Sequence, residues 1–139
     1  MSYLELYQDL MFDLLSPTPT FEQNASKLSI IDDGRGGVAI KGLSMVVCQN
    51  EEEALNQLFE GGMNRTVTEH QLNKASSRSH CIFTIHIESR SRVESSEKVI
   101  HSKVHLVDLA GSERTKKTGS SGLTLKEANY INQSLSYLE

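Results

Sequence analysis

Leu106-Val107-Asp108-Leu109-Ala110-Gly111-Ser112-Glu113-Arg114 is an apolar run that ends in an acid and opens into a loop rich in glycine, serine and lysine, residues 111–122. Leu106 to Leu109 reads as the buried end of a strand, the close of an apolar stretch over 99–109. In open α/β sheets, ligands bind at the carboxyl ends of the strands. An aspartate there can hold Mg²⁺ directly or through water. A glycine three residues on lets its bare amide approach a terminal phosphate. Taken alone, D-x-x-G fits a plain strand-end turn better.

Working outward, residues 3–7 (Tyr-Leu-Glu-Leu-Tyr) alternate as a strand, and residues 9–15 read as a short helical turn stopped by Pro17 and Pro19. Residues 28–31 form a strand and Asp32-Asp33-Gly34 a turn, with one or two short strands over 38–47 broken at Gly42. Asn50 is an N-cap with Glu53 three residues on, and Glu51 to Glu53 place negative charge where the helix dipole favours it. Ala54, Leu55, Leu58 and Phe59 recur at helical spacing, and Gly61-Gly62 is expected to end that helix. A polar loop over 64–79 leads to a strand over 81–88 with Phe83, Ile85 and Ile87 on one face. A polar connection over 90–97 then leads to the strand that closes on Asp108. Leu125, Ala128, Ile131, Leu135 and Leu138 repeat at three- and four-residue steps, an amphipathic helix running into Glu139. Strands interleaved with helices make an α/β layered fold. Regular structure reaches both ends, so a fragment of a larger domain is expected.

The length of 139 residues suits one compact unit. No run approaches the roughly 18 apolar residues of a membrane span, so no membrane partner is expected. Residues 1–60 carry 3 Lys/Arg against 10 Asp/Glu, net −7, while residues 61–139 carry 11 against 8, net +3. No strong basic face emerges, which argues against a nucleic-acid partner. Cys48 and Cys81 lack C-x-x-C spacing and are expected as free thiols in a reducing, cytoplasmic compartment. The sequons at Asn24, Asn64 and Asn132 then count as chance matches.

Three patterns imitate ligand sites. Gly34-Arg35-Gly36-Gly37-Val38-Ala39 matches G-x-G-x-x-G/A, but the chain continues as a strand where a pyrophosphate site needs a helix N-terminus. Gly37 and Gly42 have P-loop spacing, but Leu43-Ser44 follows in place of lysine and a hydroxyl residue. His101 and His105 have the spacing of a helical zinc pair, yet on a strand they lie about 13 Å apart.

Asn73-Lys74-Ala75-Ser76-Ser77-Arg78-Ser79-His80 is a polar loop feeding a strand. By composition it is an ordinary serine-rich loop. Its hydroxyls can also ligate Mg²⁺ and phosphate oxygens, and its arginine can pair with a neighbouring carboxylate. The combination is far more specific. N-x-x-S-S-R-S-H, then about 25 residues later V-D-L-A-G-S-E-R, then Asn132-Gln133-Ser134-Leu135, resembles the kinesin motor domain from residue 2 to 139. Residues 73–80 match its switch I, 108–113 its switch II, and about 124–139 its track-facing relay helix. Ser2 to Tyr7 is similar to its central-strand signature. Phe59-Glu60-Gly61 and residues 126–139 are most similar to the ninth kinesin subfamily, associated with cilia and flagella.

The resemblance implies a P-loop NTPase-like three-layer fold, a mixed central sheet flanked by helices, present here in part. It implies ATP and Mg²⁺ as cofactors and microtubules as partner. Ser76 and Ser77 would contact Mg²⁺ and the γ-phosphate, Asn73 would help close the site, and Asp108 would anchor the Mg²⁺ water shell. Gly111 would sense the γ-phosphate, and Arg78 and Glu113 would latch the two switches around the attacking water. Lys116, Lys117 and Asn132 would face tubulin, although the two lysines also suit a solvated loop. Three departures stand out. The family's Asn-Lys-Ser-Leu reads Asn132-Gln133-Ser134-Leu135, its following glycine is Glu139, and the 139 residues contain no Walker A loop. The expectation is a piece of an ATP-driven microtubule motor that is inactive and marginally folded by itself. The competing reading is a truncated, non-catalytic product that only binds microtubules or a partner. A distant GTPase-like switch protein explains D-x-x-G but not the Ser-Ser-Arg-Ser-His loop.

Overall fold

The computed structural model describes residues 1–17, 28–34, 36–72, 76–91, 98–112 and 123–138. Pro19, most of the polar connection over 90–97, the loop from 113 to 122 and Glu139 lie outside the described residues. Strand β1 (Ser2–Tyr7) runs into a two-residue turn at Gln8 and Asp9, whose φ angles are +50° and +62°. Two left-handed residues in succession give the hairpin turn whose twist matches the flanking strands. The chain therefore reverses into β2 (Leu10–Asp13), paired Tyr7↔Leu10 to Leu4↔Asp13, where a helical turn was expected. The correction has a physical origin: a four-residue apolar stretch carries no reliable period, and the turn decides it. Phe12 and Leu14 end up fully buried.

β3 (Ser29–Asp32) and β4 (Val38–Lys41) form a separate antiparallel hairpin. Asp32 and Asp33 side chains accept from the amides of Gly34 and Gly37 at 2.7 and 2.8 Å, closing the turn. The glycine cluster is thus hairpin chemistry, and no helix follows it. Past Gly42, at φ +88°, residues 43–48 form no further strand.

Helix α1 (Glu51–Leu72) starts as expected. The Asn50 carboxamide oxygen accepts from the Glu53 amide at 2.9 Å, and Glu53 Oε2 accepts from the Gln49 amide at 2.8 Å. It does not stop at Gly61-Gly62, nor is 64–79 a continuous loop: the helix continues to Leu72, and Ser76–Arg78 forms a 3₁₀ turn. The reason is contact. A Cβ on Gly61 would sit 2.3 Å from Tyr3 Cδ1 and 3.3 Å from Leu15 Cδ2. Gly61 therefore serves close approach of the helix to β1 rather than a helix end. Asn64 is spent on the fold too, donating through Nδ2 to the Leu14 carbonyl at 2.7 Å. The stripe that announced the helix is not its buried face, since Leu55 is 45% and Phe59 70% exposed.

β5 (His80–Arg90) and β6 (Val99–Asp108) complete a four-stranded sheet in the order β2-β1-β5-β6, each neighbouring pair antiparallel. Tyr3 and Phe83 meet edge-to-face across β1 and β5 with ring centroids 5.2 Å apart. The run 106–109, expected to be buried, is not: Leu106 is 55% and Val107 52% exposed. β6 is an edge strand of this sheet, and among the described residues no helix packs along it. Helix α2 (Leu123–Ser136) buries Glu127, Ala128 and Ile131, and it ends three residues before 139, with the Leu138 amide closing on the Leu135 carbonyl at 3.0 Å.

The paired glycines of α1 separate two effects. Gly61→Ala is expected to destabilise the motor domain carrying this segment by about 1–3 kcal/mol through overpacking on Tyr3. Gly62→Ala, where a Cβ meets nothing within 4 Å, is expected to stabilise it by up to about 1 kcal/mol through helix propensity. Urea unfolding of the two variants measures both.

Candidate functional site

The antiparallel pairing of β5 with β6 puts Cys81 opposite Asp108. That register brings the amino end of one strand beside the carboxyl end of the other, so the loops before β5 and after β6 meet at one corner. Their contact is direct: the Gly111 amide donates to the Ser77 carbonyl at 3.0 Å. Ser77 is exposed at this corner, and the Asp108 side chain is 69% exposed. Ser77, Asp108 and Gly111, three residues singled out from the sequence, thus converge. A Cβ on Gly111 would lie 3.9 Å from the Ser77 carbonyl oxygen, an ordinary contact. Packing alone does not demand glycine there, and the amide expected to face a phosphate is occupied by the neighbouring loop.

Arg78 lies in the same 3₁₀ turn and reaches helix α2, where Nη1 donates to Glu127 Oε2 at 2.6 Å. Glu127 is buried, and its other oxygen accepts from the Tyr7 hydroxyl at 2.6 Å. Glu113, the expected partner of Arg78, lies outside the described residues, as do Asn73, Lys116 and Lys117 and the side chain of Ser76. Asn132 is half-buried on α2.

Sequence reasoning did not find Arg65, Glu5 and Glu127, and it quoted His80 and Ser134 within their motifs without giving either a role. Arg65 rises from α1 between two carboxylates, donating to Asp108 Oδ2 at 3.1 Å and standing 3.8 Å from Glu5 Oε1. Its Nη2 also donates to Ser79 Oγ at 3.4 Å. Glu5 is 0% exposed, and a buried carboxylate of this kind needs a cation. Its place inside an apolar alternating strand was the one available signal. His80 accepts from the Ala110 amide through Nδ1 at 3.1 Å and meets Ser134 Oγ through Nε2 at 2.7 Å. Burial pushes its pKa below the ordinary histidine value, partly offset by Asp108. Burial, and then its bond to Glu127, push the Tyr7 hydroxyl up to about 12.

The donor set at the corner is a carboxylate and a hydroxyl, hard oxygen ligands that fit Mg²⁺ held through water. Among the described residues no three His, Cys, Asp or Glu side chains cluster as a closed metal cage. His101 and His105 have separate partners, Glu88 at 3.5 Å and Thr84 at 2.9 Å. No described helix is long and apolar enough to cross a membrane.

A family model described as the kinesin motor domain matches residues 1–139. The kinesin-like protein KIF9 of Mus musculus is 54% identical over 139 residues, which are all of this chain and 18% of that protein. The kinesin-like protein KLP1 of Chlamydomonas reinhardtii is 50% identical over the same length, again 18% of its own chain. A solved structure of a fast kinesin, described in terms of its ATPase mechanism and interactions with microtubules, superposes with a TM-score of 0.80 at 39% identity. That match covers 99% of this chain and 36% of the solved one. The chain therefore spans about a fifth of these curated relatives and about a third of that motor structure.

Two measurements probe the buried polar groups in the motor domain carrying this segment. Arg65→Met is expected to cost about 3 kcal/mol in chemical denaturation, because it removes the cation beside the buried Glu5 carboxylate. Adding Glu5→Gln is expected to recover much of that loss. Tyr7 has a folded pKa of about 12 against an ordinary 10, so folding favours its protonated form. The stability difference between the parent and Tyr7→Phe is then expected to hold up to about pH 10 and to shrink as pH rises from 10 to 12.

Proposed function

Since the chain belongs to the kinesin motor-domain family, we propose that it forms the switch-bearing portion of an ATP-driven microtubule motor. The observation that carries this is the Ser77–Gly111 contact beside Asp108, which joins both signature loops at one sheet corner. Bound Mg²⁺ would neutralise charge on the phosphate oxygens. Asp108, oriented by Arg65, would hold that ion through water, and Ser76 and Ser77 would offer hydroxyls to the metal and the γ-phosphate. Asn73 helps close the site. Gly111 presents its amide to the terminal phosphate once it leaves the Ser77 carbonyl. Arg78 exchanges Glu127 for Glu113 when the loops close, orienting the attacking water. Lys116, Lys117 and Asn132 face the acidic track.

We place the protein on the cytoskeleton, in a cilium or flagellum. That placement is supported by the subfamily resemblance and by 50% identity to the Chlamydomonas kinesin-like protein.

The test is microtubule-stimulated ATP turnover by the full protein. Glu113→Ala and Arg78→Ala are each expected to lower stimulated turnover by at least about a hundredfold, the scale of losing transition-state electrostatics. Lys116→Ala with Lys117→Ala is expected to raise the half-saturating microtubule concentration several-fold at low salt. The isolated 139 residues are expected to turn over no ATP. Turnover by them, lost in Glu113→Ala, would overturn that expectation.

A further inference from the structure

We propose that His80 is a positioning residue that ties the loop after β6 to helix α2, so that movement of that loop reaches the carboxyl half of the helix through the imidazole. The proposal rests on the motor reading and deepens it. Four observations carry it. The Ala110 amide, buried with its residue at 4% exposure, donates to His80 Nδ1 at 3.1 Å. Nδ1 is therefore the unprotonated nitrogen and Nε2 carries the hydrogen. The Ser134 hydroxyl donates to the Ile131 carbonyl at 2.8 Å, which leaves its oxygen to accept Nε2–H at 2.7 Å. Every donor in the chain Ala110–His80–Ser134–Ile131 then has one acceptor, in one consistent direction.

The third observation is the anchorage of the ring. His80 opens β5 and is registered opposite Leu6 of β1, so its backbone belongs to the sheet while its side chain bridges two elements outside it. The fourth is spacing. Glu127 and Ser134 are seven residues apart, two turns along one face of α2. They are held respectively by Arg78, which ends the 3₁₀ turn, and His80, two residues on at the start of β5. The His80 tie also reaches the loop after β6. Between the two ties the interface is not packed solid. A cleft of about 110 Å³ opens there, lined by Leu6, Asp9, Arg78, His80, Tyr130 and Ser134 among others. Beside the buried Ile131, directed bonds therefore carry part of the connection at this end of the helix.

The test uses the full motor protein, with ATP turnover measured with and without microtubules and with amide exchange of the peptide containing Ala110. Ser134→Ala and His80→Ala are each expected to lower the ratio of microtubule-stimulated to unstimulated turnover about tenfold, the scale of one lost buried hydrogen bond. The double variant is expected to match the singles, and Ser134→Thr, which keeps a hydroxyl, to restore coupling. His80→Gln can put its amide N–H where Nε2–H stood, but its one acceptor shares that end of the side chain and none remains at the Nδ1 position, so Ala110 exchange is expected to rise about tenfold, as on losing one hydrogen bond. In Ser134→Ala that amide is expected to stay protected. Additive losses in the double variant, equal losses with and without microtubules, or unchanged Ala110 exchange in His80→Gln would each overturn the relay. An unsubstituted protein with no microtubule-stimulated turnover would instead overturn the motor reading, while the exchange result would still report on the His80 contact.

Discussion

The register of β5 against β6 governs the geometry of the site. With Cys81 opposite Asp108, the loops at the two strand ends sit close enough for the Gly111 amide to reach the Ser77 carbonyl. Sliding the pairing by one residue would turn Asp108 to the other face and separate the loops. Pairing on the far side of β5 resists such a slip, because β1 holds that strand from Ser2↔Thr84 to Leu6↔His80. The edge-to-face contact of Tyr3 and Phe83 adds a side-chain constraint in the same register.

A second constraint comes from helix α1 against β1. Glu5 is a carboxylate without solvent exposure at the centre of β1, and Arg65 is the cation brought to it by α1. The arginine can arrive only because Gly61, one helical turn earlier, leaves room for the helix against Tyr3. The same guanidinium then reaches Asp108. Burial of one acid, close approach of a helix and orientation of a second acid at the strand end are therefore linked. Asp108 is exposed and presentable to a hydrated ion, yet its position depends on a buried charge pair.

Helix α2 is attached to this frame mainly by polar side chains. Glu127 collects Tyr7 and Arg78, and Ser134 meets His80; Ala128 and Ile131 supply the buried apolar contact. An attachment made of a few directed bonds has discrete alternative arrangements, which suits an element that must move between states.

The motifs were legible in the residues alone. An apolar strand closing on Asp108, a glycine three residues later and a serine-rich loop ahead of another strand are local patterns, and their order along the chain is specific to one family. The Asn50–Glu53 cap was legible for the same reason, being complete within four residues. What the chain pattern misread were matters of who lies next to whom. Gly61 looks like a helix end unless Tyr3 is known to stand beside it. Leu10 to Asp13 looks helical until the left-handed turn at Gln8 and Asp9 folds it back on β1. Arg65 and Glu127 carry no local signature, because each acquires its role from a partner more than 40 residues away in sequence, and His80, though it closes a signature motif, is tied to Ala110 only by the fold. Family, strand ends and loop chemistry are short-range properties written in spacing and residue type. The ion pairs and the imidazole bridge are long-range ones, settled only when folding brings distant residues together and burial removes the water that would otherwise satisfy each charge and donor.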